Sequence, residues 1–143
     1  MNEQNEGILE DALFSFFKIS EKNYSMNLFL DSQLLGRIIS LLDYQNFKIS
    51  YFALKNIGNS STQKLSPDSV INTGLFLKLT RLIDYNKESM RKEAYWTLSN
   101  LAADSSIYFS HFISANVFEK LRNTLKMIQN YCKRSHLSIL QYF

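Results

Sequence analysis

The chain has 143 residues, 45% hydrophobic and 20% charged, which excludes the disordered class and suits one domain, or about three solenoid repeats, better than two independent domains. One proline and four glycines are too few for the frequent tight turns of an all-β chain, so helices are expected throughout. The formal net charge of +3 is spread among acidic residues and gives no long basic tract, and the single Cys132 has neither a disulfide partner nor Cys or His neighbours at zinc-ligand spacing.

In chain order, Met1 to Gly7 is polar and acidic, and no apolar run approaches membrane-spanning length, so a soluble protein of the cytoplasm and nucleus is expected. A lone helix over about 8–20 follows, crowded with Phe14, Phe16 and Phe17. The chain then repeats itself. The segments NLFLDSQLLGRIISLLD, DSVINTGLFLKLTRLID and SHFISANVFEKLRNTLK align without gaps, with Phe29, Val70 and Phe112 in register at spacings of 41 and 42. Leu30, Ile71 and Ile113 fall together, as do Ile38, Leu79 and Leu121, and Leu42, Ile83 and Leu125, each set extending an apolar face at helical spacing.

A corner between a short first helix and a longer second one is expected at Gln33, Gly74 and Asn116, of which glycine and asparagine suit a left-handed backbone. After each pair a third helical segment recurs, aligned through Ala12, Ala53 and Ala94, small residues where helices must approach closely. For the best-preserved copy the helices are placed at 67–73, 75–84 and 87–103, with Pro67 in a first turn. The whole chain reads as a single all-α solenoid: a partial unit at 1–20, full units at about 21–60 and 61–103, and a degenerate unit at 104–143. Apolar side chains at both ends, including Leu137, Ile139, Leu140 and Phe143, point to a piece of a longer stack or to self-association through terminal helices.

The stretch RKEAYWTLSNLAA, Arg91 to Ala103, resembles the third helix of an importin-alpha armadillo repeat, in which a Trp is followed four residues later by an Asn; here these are Trp96 and Asn100. The preceding YFALKNIGN, Tyr51 to Asn59, is similar to the repeat of that family in which a basic residue replaces the Trp; Lys55, Gly58 and Asn59 match it. The resemblance implies a right-handed armadillo solenoid that binds Lys/Arg-rich nuclear localisation signals of cargo proteins in a groove lined by third helices, for nuclear protein import, with Trp96, Asn100, Asn59 and Lys55 as the peptide-binding residues. The chemistry is intelligible from the side chains: residues four apart share a helix face, an Asn amide both donates to and accepts from an extended backbone, and an indole accepts a Lys or Arg head.

Along this ladder the rungs are Phe14/Lys18, Lys55/Asn59, Trp96/Asn100 and Ser138/Tyr142, so a single Trp–Asn pair is intact, and Lys18 adds a positive charge toward a ligand that is itself positive. Coupling to importin-beta is not expected, because the basic N-terminal segment that recruits it has no counterpart. Plainer roles stand beside each residue: a core position for Trp96, helix C-caps for Asn59 and Asn100, a solvated surface for Lys55, and a first-turn or ion-pair role for Glu93. His111, His136 and Cys132 are expected to form no metal site, and no nucleophile–base motif or glycine-rich phosphate loop suggests an enzyme or a cofactor. Two other readings are an armadillo-fold interaction or oligomerisation scaffold that has lost import-signal binding and, ranked last, nucleic-acid binding through Lys126, Lys133 and Arg134.

Overall fold

The computed structural model describes residues 3–21, 32–62, 70–104 and 106–126. These form helices, with no strand among the described residues, an architecture compatible with an α-solenoid. Helix α1 spans Glu3–Ser20. Helix α2, Ser32–Ser40, runs into a 3₁₀ turn at Leu41–Asp43, and α3 spans Phe47–Ser61. Helices α4 (Leu75–Leu82) and α5 (Glu88–Asp104) follow. A 3₁₀ turn at Ser106–Tyr108 then leads into α6, Phe109–Ser114, and residues 117–126 form α7.

Local chemistry sets these boundaries. The side chain of Asn46 accepts a hydrogen bond from the Lys48 amide at 3.0 Å and so starts α3, satisfying one of the free N–H groups of the first turn. Gly74 (φ 69°) and Asn116 (φ 57°) turn the chain left-handed just before α4 and α7, as their positions in the repeat predict. Gln33 does not: it lies inside α2, and with a Cβ and a longer amide side chain it continues the right-handed turn. Helix α1 begins earlier than the expected residue 8, because its acidic first turns gain partners from the next segment: Glu6 accepts from Tyr44 Oη and Asn46 Nδ2, and Glu10 from Lys48 Nζ at 2.7 Å.

The core follows the repeat register. Ile38 and Leu79 are buried, as are Leu42 and Ile83, and Val70 and Phe112. In the last copy Leu121 is only partly buried and Leu125 and Ile113 are exposed, because this edge has no further helix against it among the described residues. Helix α3 is the centre of the stack, with Ile49, Ala53, Leu54 and Ile57 fully buried; α1 packs along one side of it and α5 along the other. Ala94 on α5 is likewise buried, whereas Ala12 on α1 is exposed on the wall of an open groove between α1 and α2. Successive layers are tied by a repeated ion pair: Lys78 on α4 meets Asp43, and Lys120 on α7 meets Asp84. Lys120 Nζ also donates to the Thr80 carbonyl at 2.8 Å. Phe29, Leu30, Pro67, Cys132, Lys133, Arg134, His136, Ser138 and Tyr142 lie outside the described residues.

Candidate functional site

Helices α1, α3 and α5 are the three copies of the recurring third segment, and they lie side by side in chain order. Each therefore presents its equivalent face next to the others. On α5, Trp96 is 41% exposed, while the six-membered part of its indole lies against Gly58 on α3. A Cβ at Gly58 would stand 2.6 Å from Trp96 Cζ3 and 2.9 Å from Thr97 Oγ1. The glycine is thus the seat that lets α3 and α5 approach and holds the ring, so that Trp96 is neither a core aromatic nor a freely rotating one.

Asn100, one turn on from Trp96, turns its Nδ2 to the Gly58 carbonyl at 3.5 Å. Asn59, 41 residues earlier, donates from Nδ2 to Ser20 Oγ at 2.8 Å, and Ser20 Oγ in turn donates to the Phe17 carbonyl at 2.8 Å. Phe17 and Gly58 are themselves 41 residues apart. Both asparagines therefore reach back to the same carbonyl position of the preceding helix, one directly and one through a hydroxyl. Neither side chain makes its bond to the end of its own helix, so the C-cap role is set aside in favour of an interhelical tie. Ser61 repeats Ser20, donating to the Gly58 carbonyl at 2.7 Å. The spacing of Ser20 and Ser61 was the sequence signal for this tie.

Lys55, expected either to line a groove or to be solvated, does neither outright. Its Nζ pairs with Glu93 at 3.2 Å, their side chains only 24% and 13% exposed, and lies 4.8 Å from the Phe17 ring centroid and 5.5 Å from that of Tyr51. Glu93 is the ion-pair residue of the two roles open to it. Lys18 is turned toward Glu21 at 2.8 Å and sits over the rings of Phe14 and Phe17, at 5.6 and 5.1 Å, so its charge is screened locally instead of pointing along the helix face unopposed. Two ammonium groups thus flank one phenyl ring, each with its own carboxylate.

Over 126 residues the chain is 26% identical to importin subunit alpha-1a of Oryza sativa subsp. japonica. That stretch covers 86% of this chain and 24% of the rice protein, so the chain spans about a quarter of its relative's length. No protein-family model matches. The identity supports a distant armadillo-like relationship, in agreement with the all-helical stack of repeated elements.

Other candidate chemistry is sparse. Among the described residues no three His, Cys, Asp or Glu side chains gather into a group that could hold a metal ion. His111 stacks on Phe76, centroids 5.6 Å apart, as part of the packing around Tyr108 and Phe112. No described helix is long and apolar enough to cross a membrane. Two apolar grooves flank the described helices. One, about 430 Å³, lies between α1 and α2; the other, about 300 Å³, is bounded by Tyr95, Leu98 and Ala102 of α5, Phe109 and Phe112 of α6, and Phe118 and Leu121 of α7.

Proposed function

We propose that this chain is an armadillo-type, importin-alpha-like binding scaffold whose third helices, α1, α3 and α5, line a groove for Lys/Arg-rich nuclear localisation signal peptides. The observation that carries this reading is the pairing of a half-exposed Trp96 with Asn100 on one face of α5, both seated on Gly58. An indole fixed in this way offers an open ring face to a cation at little entropic cost. Asn100 Oδ1 and Asn59 Oδ1 accept from the amides of an extended peptide while each Nδ2 stays on the preceding helix. Lys55, held by Glu93, marks the rung that takes no basic side chain, so the peptide's cation lands on Trp96. Cargo delivery between cytoplasm and nucleus, as in the importin subunit it is similar to, is the corresponding role.

The test is a titration of the full chain with a basic import-signal peptide, read by the fluorescence of Trp96, the chain's single tryptophan. The emission should change saturably and cease to respond in Asn100→Ala. A flat signal up to high micromolar peptide refutes the reading.

A second reading, an interaction or oligomerisation scaffold working through its ends, draws on the apolar grooves and on the exposure of Ile107, Phe109, Ile113 and Phe118. Sedimentation across a concentration range separates the two, since only end-to-end pairing makes the mass rise with concentration.

A further inference from the structure

The groove between α1 and α2 is a face that the fold itself covers one repeat later. Ala12, Phe16, Leu34 and Leu41 line it; Ala12 is exposed and the other three are only partly buried. Their counterparts 41 residues on, Ala53, Ile57, Leu75 and Leu82, are 0, 0, 0 and 7% exposed. The difference is a helix. On α3 the equivalent surface is closed by α2 and its 3₁₀ turn, which insert Leu35, Ile38, Ile39 and Leu42, an apolar stripe at i, i+3, i+4 and i+7.

Charge narrows the occupant further. The residue that follows this stripe, Asp43, pairs with Lys78 in the next layer, and its counterpart Asp84 pairs with Lys120. Lys78 and Lys120 are 42 residues apart, and 41 residues before Lys78 the same position holds Arg37, which lines the open groove and is in no ion pair among the described residues. The ladder thus has a third cation waiting for a carboxylate. The α7 helix of a second copy supplies the wrong sign, since the counterpart of Asp84 one repeat later is Lys126, and the helices with the right sign, α2 and α4, are already packed in their own stack.

We infer that the α1–α2 groove is a docking site for an amphipathic helix of a different polypeptide segment, carrying apolar residues at i, i+3, i+4 and i+7 and an Asp or Glu directly after the stripe that pairs with Arg37. This site lies on α1 and α2 and is independent of the Trp96 rung on α5. Like-charge contact at such a rim suppresses the wrong partner, and the apolar stripe supplies the affinity.

The chain contains its own probe, because residues Ser32–Asp43 have the required pattern. A fluorescently labelled, end-capped peptide of that sequence should bind the full chain saturably by anisotropy. Arg37→Glu should weaken it about tenfold, and a peptide with Asp43→Lys should recover most of that loss on the Arg37→Glu chain. Ala12→Lys, at an exposed position, should abolish binding while far-UV circular dichroism stays unchanged. Absence of binding overturns the inference, as does binding indifferent to Arg37. So does binding sensitive to Lys78→Glu instead, since the peptide would then be displacing α2 from its own site. A mass that doubles with concentration and is insensitive to Arg37→Glu would assign the groove to a second copy and overturn it too.

Discussion

The indole of Trp96 fills the space that a side chain at Gly58 would need. Replacing Gly58 by alanine puts a methyl 2.6 Å from Trp96 Cζ3 and 2.9 Å from Thr97 Oγ1, and Thr97 is fully buried and cannot yield. The ring must leave its seat or the α3–α5 contact must open. Gly58→Ala should therefore destabilise the chain by about 1–3 kcal/mol in urea denaturation, the usual cost of overpacking, and shift Trp96 emission to the red as the ring becomes more exposed.

Asn59 and Asn100 should separate stability from binding. The Asn59 bond to Ser20 is short at 2.8 Å, whereas the Asn100 bond to the Gly58 carbonyl, at 3.5 Å, is at the limit of hydrogen bonding. Asn59→Ala is expected to lower stability by about 0.5–1.5 kcal/mol, and Asn100→Ala by less than about 0.5 kcal/mol. A large unfolding effect of Asn100→Ala would mean that its role is structural and would weaken the peptide-binding reading.

Glu93 holds Lys55 in a half-buried pair beneath the helix face. Glu93→Ala leaves that ammonium among Phe17 and Tyr51 without its counter-charge, and should cost about 1–3 kcal/mol in thermal or chemical denaturation. Lys55→Met on the Glu93→Ala background should return part of the loss, because the methionine keeps the aliphatic stem without a charge to compensate.

Asn56 is a buried polar side chain with one unpartnered acceptor. It is fully buried, donates to the Leu13 carbonyl at 2.9 Å and to the Phe52 carbonyl at 2.8 Å, and leaves Oδ1 without a partner. Asn56→Ala removes one of the ties between α3 and α1 and should destabilise by about 1–3 kcal/mol, with hydrogen exchange accelerated first in α1.

The attachment of α1 should also loosen at alkaline pH. The Tyr44 phenol is raised above its ordinary value by burial and by its hydrogen bond to Glu6, and the Lys48 ammonium is raised by its hydrogen bond to Glu10. Both groups are bound in their protonated forms in the fold, so their contribution is complete below the unfolded values near 10 and is lost as pH rises through the higher folded ones. Ultraviolet titration of the tyrosines should show Tyr44 ionising late, and Glu6→Gln should return it toward the ordinary value.

Much of the fold was legible in the amino-acid order because a repeat reports the same constraint several times. The apolar sets at spacings of 41 and 42 marked the buried faces of α2 and α4, the aligned Ala53 and Ala94 marked those of α3 and α5, and glycine or asparagine at 74 and 116 marked two left-handed corners, since few other residues adopt that backbone without strain. Gln33 and Leu125 departed from the pattern for reasons outside it: a corner can be absorbed into a helix, and an apolar residue is buried only when a neighbour covers it. Motif and spacing also put Trp96, Asn100, Asn59 and Lys55 on neighbouring third helices, and their binding of a peptide remains the proposal.

What those four side chains touch was decided by tertiary packing. Periodicity says which residues share a helix face, but not which carbonyl an amide meets on the next helix or how far a ring protrudes. Only the close crossing of α3 and α5 at Gly58 fixed the pose of Trp96, and only the approach of Glu93 turned Lys55 from a surface cation into a paired, half-buried one. The sequence by itself determined the stack and the register of its repeats, because those depend on local spacing repeated along the chain. The tertiary structure decided which amides, rings and charges already have partners and which remain open to a ligand, because that depends on contacts between residues some forty positions apart.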